Sequence, residues 1–273
     1  MRIDSHQHFW RYEPSAYAWI GESMGALRRD FLPQDLRPLL DAAKIDGCIA
    51  VQAQETIAET RWLLDLAAAH DWIRGVVGWV DLCAPDVGAQ LDAIAHTKLV
   101  GVRAVLQAKP DHWMGTSAFV RGLAAVGERD LAYDVLVYAP QLRAAYELCR
   151  AVPRQRFVLD HLGKPEARTK RIATWRHDLL ALASLDHVAC KLSGLATEAD
   201  WHGWTPDQLR AYLDIALEAF GPQRLLFGSD WPVALCAVSY QRWHDLVQDW
   251  CGALSAAEQA SVFGGAAAHV YRL

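Results

Sequence analysis

The chain has 273 residues, of which 52% are hydrophobic and 22% charged, and its formal net charge is −5. That length and composition suit a globular protein with a core large enough to hold without staples. The mild acidity, with no run of lysine or arginine, argues against nucleic acid as a partner, and no apolar run reaches the roughly 18 residues that a membrane span needs.

The first strand-like run is MRIDSHQH (1–8), which carries Asp4, His6 and His8 at alternate positions. An irregular aromatic stretch follows at 9–32, with Trp10, Tyr12, Tyr17 and Trp19. Helical spacing then predicts a helix over 33–44, with Pro33 suited to its first turn. Further apolar runs predict strands at 45–52, 73–81, 99–107, 132–138, 156–163, 187–194 and 224–232. Between them lie helical patterns at 56–70, 86–97, 116–129, 140–152, 168–185 and 205–220, the last opened by Thr205 as cap and Pro206 behind it. Two more, at 239–250 and 255–268, follow the last strand, and the closing GGAAAHVYRL reads as a packing helix.

Eight strands each followed by a helix predict a parallel sheet. An open, doubly wound sheet would advertise a glycine-rich first turn, and HQHFWRYEP has none. The expected fold is therefore α/β, a (β/α)8 TIM barrel, with residues 1–273 forming one domain because no linker or repeat interrupts them. Six cysteines scattered without a CxxC pair read as reduced thiols, and the start shows no secretory leader. The expected compartment is the cytoplasm, with neither membrane nor nucleic acid as partner and homo-oligomerisation left open.

In such a barrel the chemistry gathers at the C-terminal ends of the strands. His6 and His8 are two apart, so on a strand they face the same way, into the mouth, with Asp4 one layer deeper. Two imidazoles on one side make a pair of metal ligands, and Asp230, in FGSDWP at the end of strand eight, becomes their neighbour when the barrel closes. Asp230 is the candidate general base, passing a proton from water to the leaving oxygen. His161, in LDHLGKP, is placed to polarise a carbonyl or bind substrate. Arg103 is the one charge inside an apolar run, costly there unless it is paired or anchors a substrate oxygen. Lys191 either meets substrate or pairs with an inward acid such as Asp4. Tyr138, Glu198 and Trp201 are candidates for contacts to substrate hydroxyls.

In their order and spacing, RIDSHQHFW, GVR, LDHLGKP, CKLSGL and FGSDWP resemble the amidohydrolase superfamily, and within it the branch of sugar and dicarboxylate lactonases. The resemblance runs from residue 1 to the C-terminus. It implies a (β/α)8 barrel that opens a sugar lactone, an aldonolactone of the L-fucono type, with water. Asp230 is the implied base, while His6 and His8 hold a divalent metal or touch the substrate directly. Binuclear members carry a bridging Lys or Glu at the end of strand four and usually a histidine at the end of strand five. Here those positions hold Arg103 and Tyr138, so the resemblance implies at most one metal, zinc or manganese, or metal-independent catalysis. Alternatives on the same scaffold are a dicarboxylate lactonase, a lactone isomerase and a metal-dependent decarboxylase. Anionic substrates would call on Arg103, Lys191 and Lys164. A barrel that binds sugar without chemistry is the alternative of another class.

Overall fold

The computed structural model describes residues 1–169 and 171–273. Eight parallel strands lie in the order β1 to β8: Ile3–Gln7, Gly47–Val51, Ile73–Gly78, Leu99–Ala104, Ala132–Val135, Phe157–Leu159, Val188–Leu192 and Leu225–Phe227. Helices α1 to α8 follow strands β1 to β8 in turn: Pro33–Ala42, Ile57–Ala69, Val87–Ala93, Ser117–Glu128, Leu142–Ala151, Ile172–Ala183, Pro206–Phe220 and Tyr240–Cys251. Residue 170, within the helix expected over 168–185, lies outside the described residues. Among those residues no helix is long and apolar enough to cross a membrane.

Closure of the (β/α)8 barrel falls just beyond the short β8. Gln7 and Trp231 form a parallel bridge, flanked by Asp230 N–H donating to His6 O at 2.8 Å and His8 N–H donating to Trp231 O at 2.7 Å. Side chains reinforce the seam: Ser5 Oγ donates to Phe227 O at 2.7 Å, and Asp4 Oδ1 accepts from Ser229 N–H at 2.9 Å. The first and last strands therefore do lie side by side.

Asp4 corrects one expectation. A bulge between Asp4 and Gln7 adds a residue to β1, and this breaks the two-residue alternation. Asp4 stays in register with Cys48, whose side chain packs into the layer between strands and helices. It is the seam's hydrogen-bond acceptor, not a deeper layer of the mouth.

The barrel interior is built in layers. At the bottom sit Ile3, Ile49, Val77, Val100, Ala132, Val158, Ala189 and Leu226, one from each strand. Two short helices end the chain: α9 at Ala256–Ala260 and, after a wide turn at Ser261–Gly265, α10 at Ala266–Tyr271. Ala266, Ala267, Val270 and Tyr271 pack on the bottom layer like a stopper. The single helix expected over 255–268 is thus broken, and Gly264 shows why: a Cβ there would stand 2.2 Å from Met1 O. Gly264→Ala should cost about 1–3 kcal/mol, as overpacked sites do, read as a lower midpoint in urea denaturation. Two residues above Ala132, Val158 and Ala189, alternation places Asp134, Asp160 and Lys191, so the interior changes from hydrocarbon to charge within one layer.

The strand expected over 156–163 stops at Leu159. His161, Leu162, Gly163 and Lys164 all have positive φ, from 47° to 67°, a left-handed turn that ends the strand. Such a conformation costs non-glycine residues roughly 1–2 kcal/mol each. The hydrogen bond from Trp175 Nε1 to Leu162 O, 2.8 Å, helps hold it. Its effect is to present both His161 and Lys164 to the mouth.

Candidate active site

The irregular stretch 9–32 folds over the mouth. Its ends are tied by Trp10 N–H to Phe31 O and Phe31 N–H to Trp10 O, both 2.9 Å, and the indole of Trp10 is fully buried against Tyr17 and Phe31. This leaves Trp19 and Met24 on the rim of a cavity of about 480 Å³. His8, Arg103, His161 and Asp230 line the deep part of that cavity, and Tyr138, Lys164, Glu198 and Trp201 line its walls. Lys164 Nζ stands 3.7 Å from Glu198 Oε1 and 5.3 Å from the Tyr138 ring centroid.

Three imidazoles converge on one carboxylate oxygen. Asp230 Oδ1 lies 3.5 Å from His8 Nε2, 3.8 Å from His6 Nε2 and 3.9 Å from His161 Nε2. The far nitrogen of each ring has neighbours of its own: Val51 O at 2.8 Å for His8 Nδ1, Ser193 Oγ at 2.9 Å for His161 Nδ1, and both Lys191 Nζ at 3.0 Å and Asp160 Oδ1 at 3.2 Å for His6 Nδ1. Gly194, at φ +63°, allows the His161 ring to lie where it does, since a Cβ there would stand 2.5 Å from Nδ1.

Burial alone would raise the Asp230 pKa, but His161, His8 and His6 outweigh it and hold the carboxylate below its ordinary range. Burial, with the Asp230 and Asp160 charges opposing it, lowers His161 to about 4, so this ring is neutral at pH 7. His6 is driven well below the ordinary histidine value by burial first and by Lys191 next.

The donor set fits a divalent cation. His6, His161 and Asp230 each offer one ligand atom within 4.8 Å of one another, and His8 Nε2 lies 3.2 Å from His6 Nε2. A tetrahedral ion bound at about 2.0–2.1 Å separates its ligand atoms by roughly 3.3–3.4 Å, close to these spacings. Partners on the far nitrogens are the usual supports of metal-bound histidine.

Arg103 is held in place rather than free. Nε and Nη2 donate to Gln52 Oε1 at 3.1 and 2.7 Å, Nη2 also donates to Gln52 O, and Nη1 donates to Asp160 Oδ2 at 3.0 Å. Of the five guanidinium N–H bonds the fifth, on Nη1, makes only a longer contact, 3.4 Å to His6 Nε2, at the base of the cavity.

Lys191 is fully buried, does not line the cavity, and pairs with inward acids other than Asp4. Its Nζ lies 2.5 Å from Asp134 Oδ2, 3.0 Å from Asp160 Oδ1 and 3.0 Å from His6 Nδ1. Asp134 and Tyr271, whose hydroxyl donates to Asp134 Oδ1 at 2.7 Å, were not singled out from the sequence. For Asp134 the signal was present: a lone acid in the apolar run AYDVLVY, the same feature that marks Arg103 in GVRAVLQ.

Fold and site together define a class, a (β/α)8 barrel with a histidine–carboxylate centre at the C-terminal ends of its strands. A family model described as Amidohydrolase matches residues 3–273, and the chain belongs to that family. It is 47% identical over 285 residues to an L-fucono-1,5-lactonase of Burkholderia multivorans, covering 100% of this chain and 96% of that one. To an L-fucono-1,5-lactonase of Burkholderia ambifaria it is 39% identical over 280 residues, with the same two coverages, 100% and 96%. A crystal structure of a B. multivorans amidohydrolase with bound zinc superimposes with a TM-score of 0.98 at 46% identity, covering 100% of this chain and 99% of the other.

Proposed function

We propose that this protein hydrolyses a sugar lactone, an aldonolactone of the L-fucono type, to the aldonic acid, with Asp230 as general base. The observation that carries the chemistry is the ionised Asp230 at the base of the cavity, its Oδ1 ringed by His6, His8 and His161. The full-length similarity to two L-fucono-1,5-lactonases supports the substrate.

Water beside Asp230 gives its proton to the carboxylate as its oxygen attacks the lactone carbonyl carbon. The remaining N–H of Arg103 Nη1 donates to the carbonyl oxygen as charge builds there; losing such a donor typically costs about 10²–10³ in rate. The tetrahedral centre collapses, the ring C–O bond breaks, and the alkoxide takes the proton back from Asp230. A divalent cation held by His6, His8 and Asp230, with His161 beside it, would supply Lewis-acid charge that polarises the carbonyl and acidifies nearby water. Zinc is the ion we propose, on the chemistry of the nitrogen-rich donor set and on the zinc in the B. multivorans structure.

The walls suit a neutral, partly apolar sugar. Among the described residues the cavity's two lining cations are both paired, Arg103 with Asp160 and Lys164 with Glu198, so a dianion would meet no net positive charge there. This weighs against a dicarboxylate substrate. Trp19, Met24, Trp201, Val105, Leu136 and Val233 offer hydrocarbon to C–H faces, while Glu198 and Tyr138 offer polar atoms to hydroxyls. The deciding assay is acid release from L-fucono-, L-galactono- and D-arabinono-lactones; no turnover on any of them would remove the reading. Glu198→Gln should raise KM about tenfold and leave kcat nearly unchanged, since a hydrogen bond to a charged group contributes about 1.5–3 kcal/mol and ground-state contacts appear in KM.

A further inference from the structure

The buried chain beneath His6 has a direction that the proposed reaction does not use. Tyr271, in the stopper helix α10, donates to Asp134, and Asp134 accepts from Lys191. Lys191 has three N–H bonds and no lone pair, and three acceptors surround it: Asp134 Oδ2, Asp160 Oδ1 and His6 Nδ1. A bond from Lys191 to Nδ1 requires a bare Nδ1, and therefore a proton on Nε2 of the neutral ring.

The other side of His6 agrees. His8 Nδ1 faces Val51 O, which can only accept, so in the neutral ring the Nδ1–H is committed there and Nε2 is bare. It needs a donor, and His6 Nε2 is 3.2 Å away. Arg103 Nη1 also approaches His6 Nε2, at 3.4 Å, a longer contact than that from Lys191 on the opposite side. The run Lys191 to His6 to His8 to Val51 is then a complete relay of donors and acceptors.

The same arrangement leaves one atom short. Asp160 Oδ1 is buried without a properly angled hydrogen bond, although His6 Nδ1 is only 3.2 Å away. The alternative tautomer, with the proton on Nδ1, would give Asp160 its bond and bare Nε2 toward Asp230. Only that tautomer can ligate a cation through Nε2.

We infer that Lys191, fixed by Asp134 and Tyr271, is a positioning residue that selects the Nε2–H tautomer of His6 and so sets how tightly the site takes a divalent cation, with Asp160 pulling the other way. The inference rests on the reading of His6 as a ligand but not on the identity of the lactone.

The test uses the full chain, stripped of metal, and two readouts apart from turnover. Imidazole ¹⁵N NMR, with His6 assigned by its loss in His6→Gln, reports the tautomer, and zinc titration against a competing chelator reports affinity. The double variant Lys191→Met with Asp134→Asn removes charge and counter-charge together. We expect Nε2–H for His6 in the metal-free parent, Nδ1–H in the double variant, and zinc bound about tenfold more tightly by the variant, at the low end of effects from groups supporting a ligand. Tyr271→Phe, which leaves both charges in place, should shift affinity about twofold in the same direction and carries the test if the double variant does not fold. Nδ1–H in the parent, an unmoved tautomer in the folded double variant, or unchanged zinc affinity in every folded variant would overturn it.

Discussion

Asp230→Asn should lower kcat/KM for the lactone by about 10³–10⁴, near the upper range for a general base, with the thermal midpoint little changed. Asparagine keeps the shape and one acceptor oxygen but cannot take the proton from water. The backbone should tolerate it, because Asp230 sits at φ 56°, where asparagine is among the few side chains that rest easily. The N–H to His6 O that helps close the barrel belongs to the main chain and stays. A variant that turns over lactone within tenfold of the parent would show that the proton goes elsewhere.

The pH profile separates this base from an ordinary carboxylate. His8, His6 and His161 hold Asp230 ionised well into acid, against the opposing effect of burial. Protonation of Asp230 therefore does not cut the rate where a free carboxylate would. The His161 ring protonates only at about 4, because burial favours its neutral form. With the neutral ring as the active one, kcat/KM should hold from neutrality and fall as pH drops through about 4. Removing His161, as His161→Gln, should take away that limb and leave one set by Asp230, whose pKa rises once His161 no longer opposes burial.

How much of this was legible depended on where the information sits in the chain. The alternation of strands and helices, and the pairing of β1 with β8, follow from local apolar patterning and from the right-handed closure of parallel units. His6, His8, Asp230, Arg103 and His161 were readable because polar groups stand at the ends of apolar runs. What failed was register. A bulge in β1 turned Asp4 away from the interior, and periodicity carries no mark of a bulge. For Lys191 alternation fixes the side of the strand, and it does pair with inward acids, but the depth along the barrel axis that selects Asp134 and Asp160 rather than Asp4 has no local mark. Tyr271 could not be seen at all: its role needs a C-terminal helix folded under the barrel, a contact 137 residues away from Asp134 in sequence.

Asp160→Ala should destabilise the fold by about 3–5 kcal/mol, the cost of leaving buried charges without their partner. Asp160 is fully buried and meets two interior cations, Arg103 Nη1 at 3.0 Å and Lys191 Nζ at 3.0 Å. Burial would push its pKa up, yet Lys191, His6 and Arg103 prevail and hold it well below the usual carboxylate range. The acid is therefore ionised and needed as such. Asp134 remains to answer Lys191 at 2.5 Å, so the greater loss falls on Arg103, which keeps neutral Gln52 and the longer contact to His6 but no counter-charge. Asp160→Asn retains an oxygen for Arg103 and should lose roughly half as much. Urea denaturation checks both: the alanine variant's midpoint should fall with an unchanged slope. A midpoint within error of the parent would mean that water enters the layer and screens the two cations, and the account of a dry, charge-matched floor beneath the histidines would have to be given up.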